Sequence, residues 1–210
     1  MVRDNTDSIL LASGGLDSTT LAYDLIEKGV RFRPVFIDYG QHCAKTELAT
    51  LLAVLPANMI DLVEVLTISD IYKESQSRLI READLWTHSI TRNDLHLPYR
   101  NLVLLASGAA YAQSKKCSSL YVAFISSNIS SGTDCSIEFL STLTSLLTGY
   151  GMVELKLPFL HMTKHEVAVL GIALGAPIGA TFSCQASSRI PCGACSNCVD
   201  RLEALKQISQ

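Results

Sequence analysis

The stretch Ser8-Ile9-Leu10-Leu11-Ala12-Ser13-Gly14-Gly15-Leu16-Asp17-Ser18-Thr19 decides the fold. An unbroken apolar run at its start has the length and composition of a strand buried on both faces, and a helical pattern follows directly. Paired glycines at the junction let the backbone approach an anion with no Cβ in the way. Successive N–H groups and the helix N-terminus can then point at phosphate oxygens. Ser13, Ser18 and Thr19 add hydroxyls, and Asp17 is expected to open the helix as its N-cap and to help hold magnesium. A bare strand-to-helix turn needs no glycine pair flanked by hydroxyls on both sides. The loop is therefore read as a phosphate cradle for ATP. It contains no Lys and lacks the Gly-x-x-x-x-Gly-Lys-Ser/Thr spacing, which excludes the common NTPase loop.

Outward from this loop, short runs of branched apolar residues alternate with longer helical segments, the pattern of βαβ units and a parallel sheet. Strands are expected at 9–12, 34–38, 62–66 and 120–124, and helices at 18–28, 44–54, 102–114, 137–147, 164–174 and 197–206. Gly29 stands where a helix-ending glycine belongs. Residues 69–96 carry mixed charge and little periodicity, and are read as an excursion that folds over the site or moves. In an open doubly wound sheet ligands lie at the carboxyl ends of the strands. The glycine loop, the Asp38-Tyr39-Gly40-Gln41 segment and residues 126–134 each follow an expected strand, so they should gather at one edge.

Length and charge set bounds. The 210 residues are 48% hydrophobic and suffice for one α/β domain spanning 1–210. A formal charge of −3 gives no global reason to expect nucleic-acid binding. No run of ~18 apolar residues suggests a membrane span, and the expectation is a soluble, cytoplasmic protein. Seven cysteines in such a chain read as metal ligands or thiols, not as a disulfide framework. Cys184, Cys192, Cys195 and Cys198 have the spacing C-x7-C-x2-C-x2-C, which brings four thiolates to one ion from a tight turn. With all four positions filled, the 184–198 segment is expected to be a structural zinc site. An iron–sulfur cluster is the rival. Cys43, Cys117 and Cys135 are read as buried small residues, Cys135 being the one to watch.

The Ser13 to Thr19 loop resembles that of the N-type ATP pyrophosphatases, which transfer AMP to a substrate oxygen. Together with Asp38-Tyr39-Gly40-Gln41, Pro98-x-Arg100-Asn101, Asp134-Cys135 with Glu138-Phe139, Lys164-x-Glu166 and the four cysteines, it resembles the 7-cyano-7-deazaguanine synthase family over most of the chain. The resemblance implies a Rossmann-like, doubly wound parallel sheet of the adenine nucleotide alpha hydrolase type with a C-terminal zinc-binding segment. It further implies ATP, Mg2+ and Zn2+ as cofactors, a carboxylate and ammonia as substrates, and a homodimer. Ser13, Gly14, Gly15, Leu16, Asp17, Ser18, Thr19, Asp38 and Tyr39 would bind the nucleotide. Arg100, Asn101 and Asp134 would face the substrate, while Asp17, Arg100 and Lys164 would act in the chemistry. His42, His161 and His165 are given no role.

One stretch departs from the family pattern. Where the family carries Glu-Thr-Asp-x-Ser-Gly-Tyr-Pro-Asp-Cys-Arg, this chain reads Ser126-Ser127-Asn128-Ile129-Ser130-Ser131-Gly132-Thr133-Asp134-Cys135-Ser136. Tyr99 also replaces a family glycine. Three alternatives stay open: a relative adenylating another carboxylate, including one on a macromolecule; a tRNA sulfurtransferase; and a nucleotide-binding regulator without turnover.

Overall fold

A computed structural model describes residues 8–84, 91, 93–125, 134 and 136–208. The departing residues 126–133 and Cys135 lie outside the described residues. Five parallel strands form one sheet in the order β3-β2-β1-β4-β5. They are β1 (Ser8–Leu11), β2 (Phe32–Asp38), β3 (Glu64–Thr67), β4 (Ser119–Tyr121) and β5 (Glu154–Lys156). The helices are α1 (Leu16–Glu27), α2 (Ala44–Val54), α3 (Ala57–Ile60), α4 (Arg100–Ser114), α5 (Ile137–Tyr150), α6 (Lys164–Ala173) and α7 (Ser196–Ile208).

Alternation along the central strands sends neighbours to opposite faces. Leu10 and Phe36 enter a core with Leu21, Leu51 and Val167, whereas Ile9, Val35 and Ile37 enter a second core with Leu105, Leu120 and Leu140. The sheet is thus covered on both faces, as the near-continuous apolar strands require. Sequence order reverses between β1 and β4, so their carboxyl ends diverge and open a crevice.

The expected strands and helices are present, with α2 at its expected bounds, and β5 and α3 are additions to the expected set. Gly29 (φ +66) follows the end of α1 in the left-handed conformation. Within the 69–96 excursion, Leu79 and Tyr72 are buried and pack with Leu97, against Tyr39. The Leu79 carbonyl also accepts a hydrogen bond from the His42 N–H at 3.0 Å. The described part of the excursion therefore lies over the segment following β2.

Candidate functional site

The crevice at the switch point holds a cavity of ≈ 300 Å³. Its floor is the end of β1 and the start of the loop (Leu11, Ala12, Ser13). Val122 to Phe124 after β4 and Leu104 and Leu105 of α4 form one wall, and Phe182, Ser183 and Gln185 another.

The glycine loop is cross-braced by its own hydroxyls. Ser18 Oγ lies 3.2 Å from Ser13 Oγ and donates to the Gly15 carbonyl at 3.2 Å, while the Gly15 N–H donates to Ser13 Oγ at 3.3 Å. Gly14 adopts φ +74, and a Cβ there would sit 2.7 Å from the Leu51 nitrogen and 2.8 Å from the Glu47 carbonyl oxygen. The first glycine is thus required by the approach of α2 as well as by the turn. Gly14→Ala is expected to destabilise the protein by about 2–4 kcal/mol, combining left-handed strain with backbone overlap. Gly29→Ala, with nothing within 4 Å of the added Cβ, should cost only about 1–2 kcal/mol. Urea unfolding of the two variants checks the difference.

Asp17 is not the N-cap. That position is Gly15, with no side-chain cap, and Asp17 lies in the first turn of α1. Its Oδ2 instead accepts from the Lys164 ammonium at 2.6 Å, and its Oδ1 is buried with no hydrogen-bond partner. Burial raises the Asp17 pKa and the Lys164 charge opposes that rise. Lys164 owes its place to a capping box: Thr163 Oγ1 accepts from the Glu166 N–H at 3.2 Å, and Glu166 Oε2 accepts from the Thr163 N–H at 2.7 Å. The Lys-x-Glu spacing therefore sets the start of α6, and the sheet brings that start to α1.

Arg100 and Asn101 open α4 and line the cavity. Burial raises the pKa of the Tyr39 hydroxyl strongly, and the nearby Arg100 charge opposes that rise. Asn101 donates to Asp134 through its backbone N–H (3.3 Å to Oδ2) and its Nδ2 (3.2 Å to the carbonyl). The Asp134 carboxylate thereby caps a helix whose own N-cap residue, Tyr99, makes no side-chain cap. Tyr99 itself is left-handed at φ 59, the conformation the family's glycine suits, and it is exposed. Tyr99→Gly should raise stability by up to about 1 kcal/mol, read as a higher urea midpoint.

Of the expected nucleotide and substrate residues, Ser13, Gly15, Leu16, Asp17, Ser18, Tyr39, Arg100, Asn101 and Lys164 line the cavity together. Four are placed elsewhere. Gly14 packs beneath α2, and Thr19 is fully buried in α1 with its hydroxyl unpartnered. The Asp38 carboxylate is turned back to accept from the Gly40 N–H at 2.9 Å, and Asp134 is engaged with Asn101. Gln41, Glu47, Ser183, Gln185 and Asn197 line the cavity although the motifs do not single them out as site residues. For Glu47 a signal exists: it shares a helical face with Leu51 and Val54, both buried.

The four cysteines meet as their spacing requires. Their Sγ atoms all lie within 4.8 Å of one another. A tetrahedral zinc–thiolate site has S···S edges of about 3.8 Å, so a small contraction would close the set on one ion. Backbone N–H groups already point at the sulfurs, from Cys192 to Cys184 at 3.4 Å and from Cys195 to Cys192 at 3.3 Å. Such bonds favour thiolates, and hydrogen bonding from Cys184 holds the Cys195 thiol well below its usual range. This segment is tied to the glycine loop, because the Phe182 N–H donates to the Gly14 carbonyl at 3.1 Å. Cys43 and Cys117 are buried outside the cluster, as expected.

A parallel sheet with a hydroxyl-braced glycine loop at its switch point, and a four-cysteine segment docked beside it, defines an α/β protein of the ATP-pyrophosphatase type. The crystal structure of a 4-thiouridine synthetase–RNA complex with bound ATP shares the fold, with TM-score 0.54 and 15% identity over 96% of this chain and 50% of that one. Residues 7–209 match the family model of the queuosine biosynthesis protein QueC, and the chain belongs to that family. Among its relatives, the 7-cyano-7-deazaguanine synthase of Archaeoglobus fulgidus is 32% identical over 205 residues, covering 94% of this chain and 84% of the relative. That of Methanoregula boonei is 30% identical over 209 residues, covering 95% and 94%.

Proposed function

We propose that this protein uses ATP and ammonia to convert 7-carboxy-7-deazaguanine into 7-cyano-7-deazaguanine. The observation that carries the reading is the family match over residues 7–209, among relatives that bear that synthase name. A carboxylate is a poor electrophile because its charge is spread over two oxygens. Attack of its oxygen on the α-phosphorus of ATP expels pyrophosphate and leaves an acyl adenylate. Ammonia adds to the acyl carbon and AMP departs, giving the amide. A second adenylation, on the amide oxygen, lets AMP leave again as the nitrile forms and protons are lost.

Position in the cavity supports the following roles. Ser13, Gly15 and Ser18 cradle the pyrophosphate, and Lys164 compensates its charge as it leaves. Arg100 offers a planar fork to a phosphate or to the substrate carboxylate, with Asn101 beside it. Tyr39 holds Arg100. Asp17 would hold magnesium, whose charge screens the polyphosphate; the unpartnered, buried Oδ1 supports that assignment. Cys184, Cys192, Cys195 and Cys198 would hold zinc, which would brace the fold without entering the reaction.

A cytoplasmic homodimer completes the reading. Among the described residues no helix is long and apolar enough to cross a membrane. A groove between α4 and α5 is bordered by the exposed Leu146 and Tyr150, a surface that a second copy would cover. Sedimentation of wild type and Tyr150→Glu tests the dimer.

The decisive experiment supplies purified, metal-replete protein with Mg-ATP, ammonium and 7-carboxy-7-deazaguanine, and follows AMP, amide and nitrile by mass. Nitrile accompanied by AMP from both adenylations is the expected result. ATP binding without AMP formation dependent on this carboxylate would overturn the reading. It would also move the search to the other carboxylates that the altered 126–136 segment leaves open.

A further inference from the structure

Two carboxylates line the cavity, Asp17 and Glu47. Asp17 is matched by Lys164 at 2.6 Å. Glu47 has no such partner: among the described residues no Lys or Arg forms an ion pair with it. It is nonetheless held firmly. Gln41 donates from Nε2 to Glu47 Oε2 at 2.9 Å and to the Ile37 carbonyl at 3.2 Å, while its Oε1 accepts from the Tyr39 N–H at 2.9 Å. The Glu47 N–H donates to the Cys43 carbonyl at 2.9 Å. The Glu47 backbone packs directly over Gly14, which places the residue at the phosphate end of the cavity.

A carboxylate drawn half out of water with no ion-pair partner is costly to maintain. Resting on the function proposed above, the reactants include two anions, ATP and the carboxylate, which Glu47 would repel, and one cation at neutral pH, ammonium. We propose that Glu47 is the ammonium site and the base that releases the nucleophile. The Glu47 carboxylate binds NH4+ and accepts one proton from it, leaving neutral NH3 with a free lone pair. That pair forms the C–N bond at the acyl carbon as the C–O bond to AMP breaks. The second proton leaves the adduct to water, and Glu47 passes its own proton to water before the next turnover.

The groups facing Glu47 agree with this role. Tyr39, His42, Cys43 and Arg100 surround it, and the attractions of His42 and Arg100 do not offset burial, which keeps its pKa raised. A carboxyl with raised pKa is a better proton acceptor from ammonium than an exposed one. The sign for stability follows. Glu47 has a folded pKa above its usual 4.5, so its stabilising contribution is complete below 4.5 and is lost as pH rises through the folded value. Glu47→Gln, which cannot ionise, should therefore melt higher than wild type at neutral pH, with the gap closing in acid.

The test separates the two half-reactions. Carboxylate-dependent exchange of labelled pyrophosphate into ATP reports adenylation without any nucleophile. Capture by hydroxylamine, uncharged at neutral pH, reports attack that needs no deprotonation of a cation. In Glu47→Gln, exchange and hydroxamate formation should stay within about threefold of wild type, while kcat/KM for ammonium falls by about 10²-fold and recovers as pH rises. Glu47→Asp, a second variant that keeps the charge but shortens its reach, should raise KM for ammonium while hydroxamate formation persists. Unchanged ammonium kinetics in Glu47→Gln, or equal losses with ammonium and hydroxylamine, overturn the assignment. Absence of carboxylate-dependent exchange in the wild type would instead overturn the synthase reading itself.

Discussion

Asp17→Asn is expected to lower substrate-dependent AMP formation by about 10²- to 10³-fold, and Lys164→Met to do the same. Both side chains line the cavity, and their contact at 2.6 Å couples α1 to α6. The cavity walls include Leu11, Val35 and Leu105, and the two side chains are only partly exposed, so each charge is worth more than at an open surface. On the proposed function, Lys164 would face the leaving pyrophosphate only while Asp17 aims it, and Asp17 would serve magnesium only while it stays ionised. Burial alone would favour the protonated carboxyl, and Lys164 opposes it. Because the two act as a unit, the double variant should be scarcely slower than either single one. Steady-state AMP release measures all three, with calorimetric ATP binding to show that the cavity persists. An Asp17→Asn enzyme within about threefold of wild type would remove the pair from the chemistry.

Stripping the metal from the four-cysteine segment, or replacing Cys195 with Ser, should lower the melting temperature by about 10 °C or more. Loss of a structural metal belongs to the changes that cost about 4 kcal/mol or more. A chain of this size shifts by about 2–4 °C per kcal/mol. The damage should not stay local. Phe182 hydrogen-bonds to Gly14, Ser183 and Gln185 line the cavity, and the Gln185 carbonyl lies 3.1 Å from His42 Nε2. The Ser188 N–H donates to Glu82 at 2.7 Å, which joins the cysteine segment to the 69–96 excursion. Metal-free protein should therefore bind ATP more weakly, even at temperatures where it remains folded. Melting curves and ATP titrations at measured zinc content test this, and equal melting points with and without metal would refute a structural role.

The glycine loop, the longer helices and the cysteine spacing are legible without coordinates. They are local patterns, each spanning a few turns of chain, and their physics acts over the same range. The start of α6 is an example, because Thr163, Lys164 and Glu166 form a capping box from neighbours alone. β5 is not legible in this way because three residues carry too little periodicity, and Glu154–Lys156 becomes a strand by pairing with β4. The first turn of α4 is hidden for a related reason, since its cap comes from Asp134, 33 residues away.

By itself, then, the sequence determined the β1–loop–α1 unit, the alternation that makes a parallel sheet, and the four-thiolate cluster, because glycine geometry, apolar period and ligand spacing are short-range properties. Only the tertiary structure decided which charges meet. Asp17 could be read locally as a cap, yet it pairs with a lysine 147 residues away, and Glu47 lines the same cavity with no ion pair among the described residues. Strand order and two-sided burial of the sheet bring those groups to one crevice, and no local pattern encodes the distance between them.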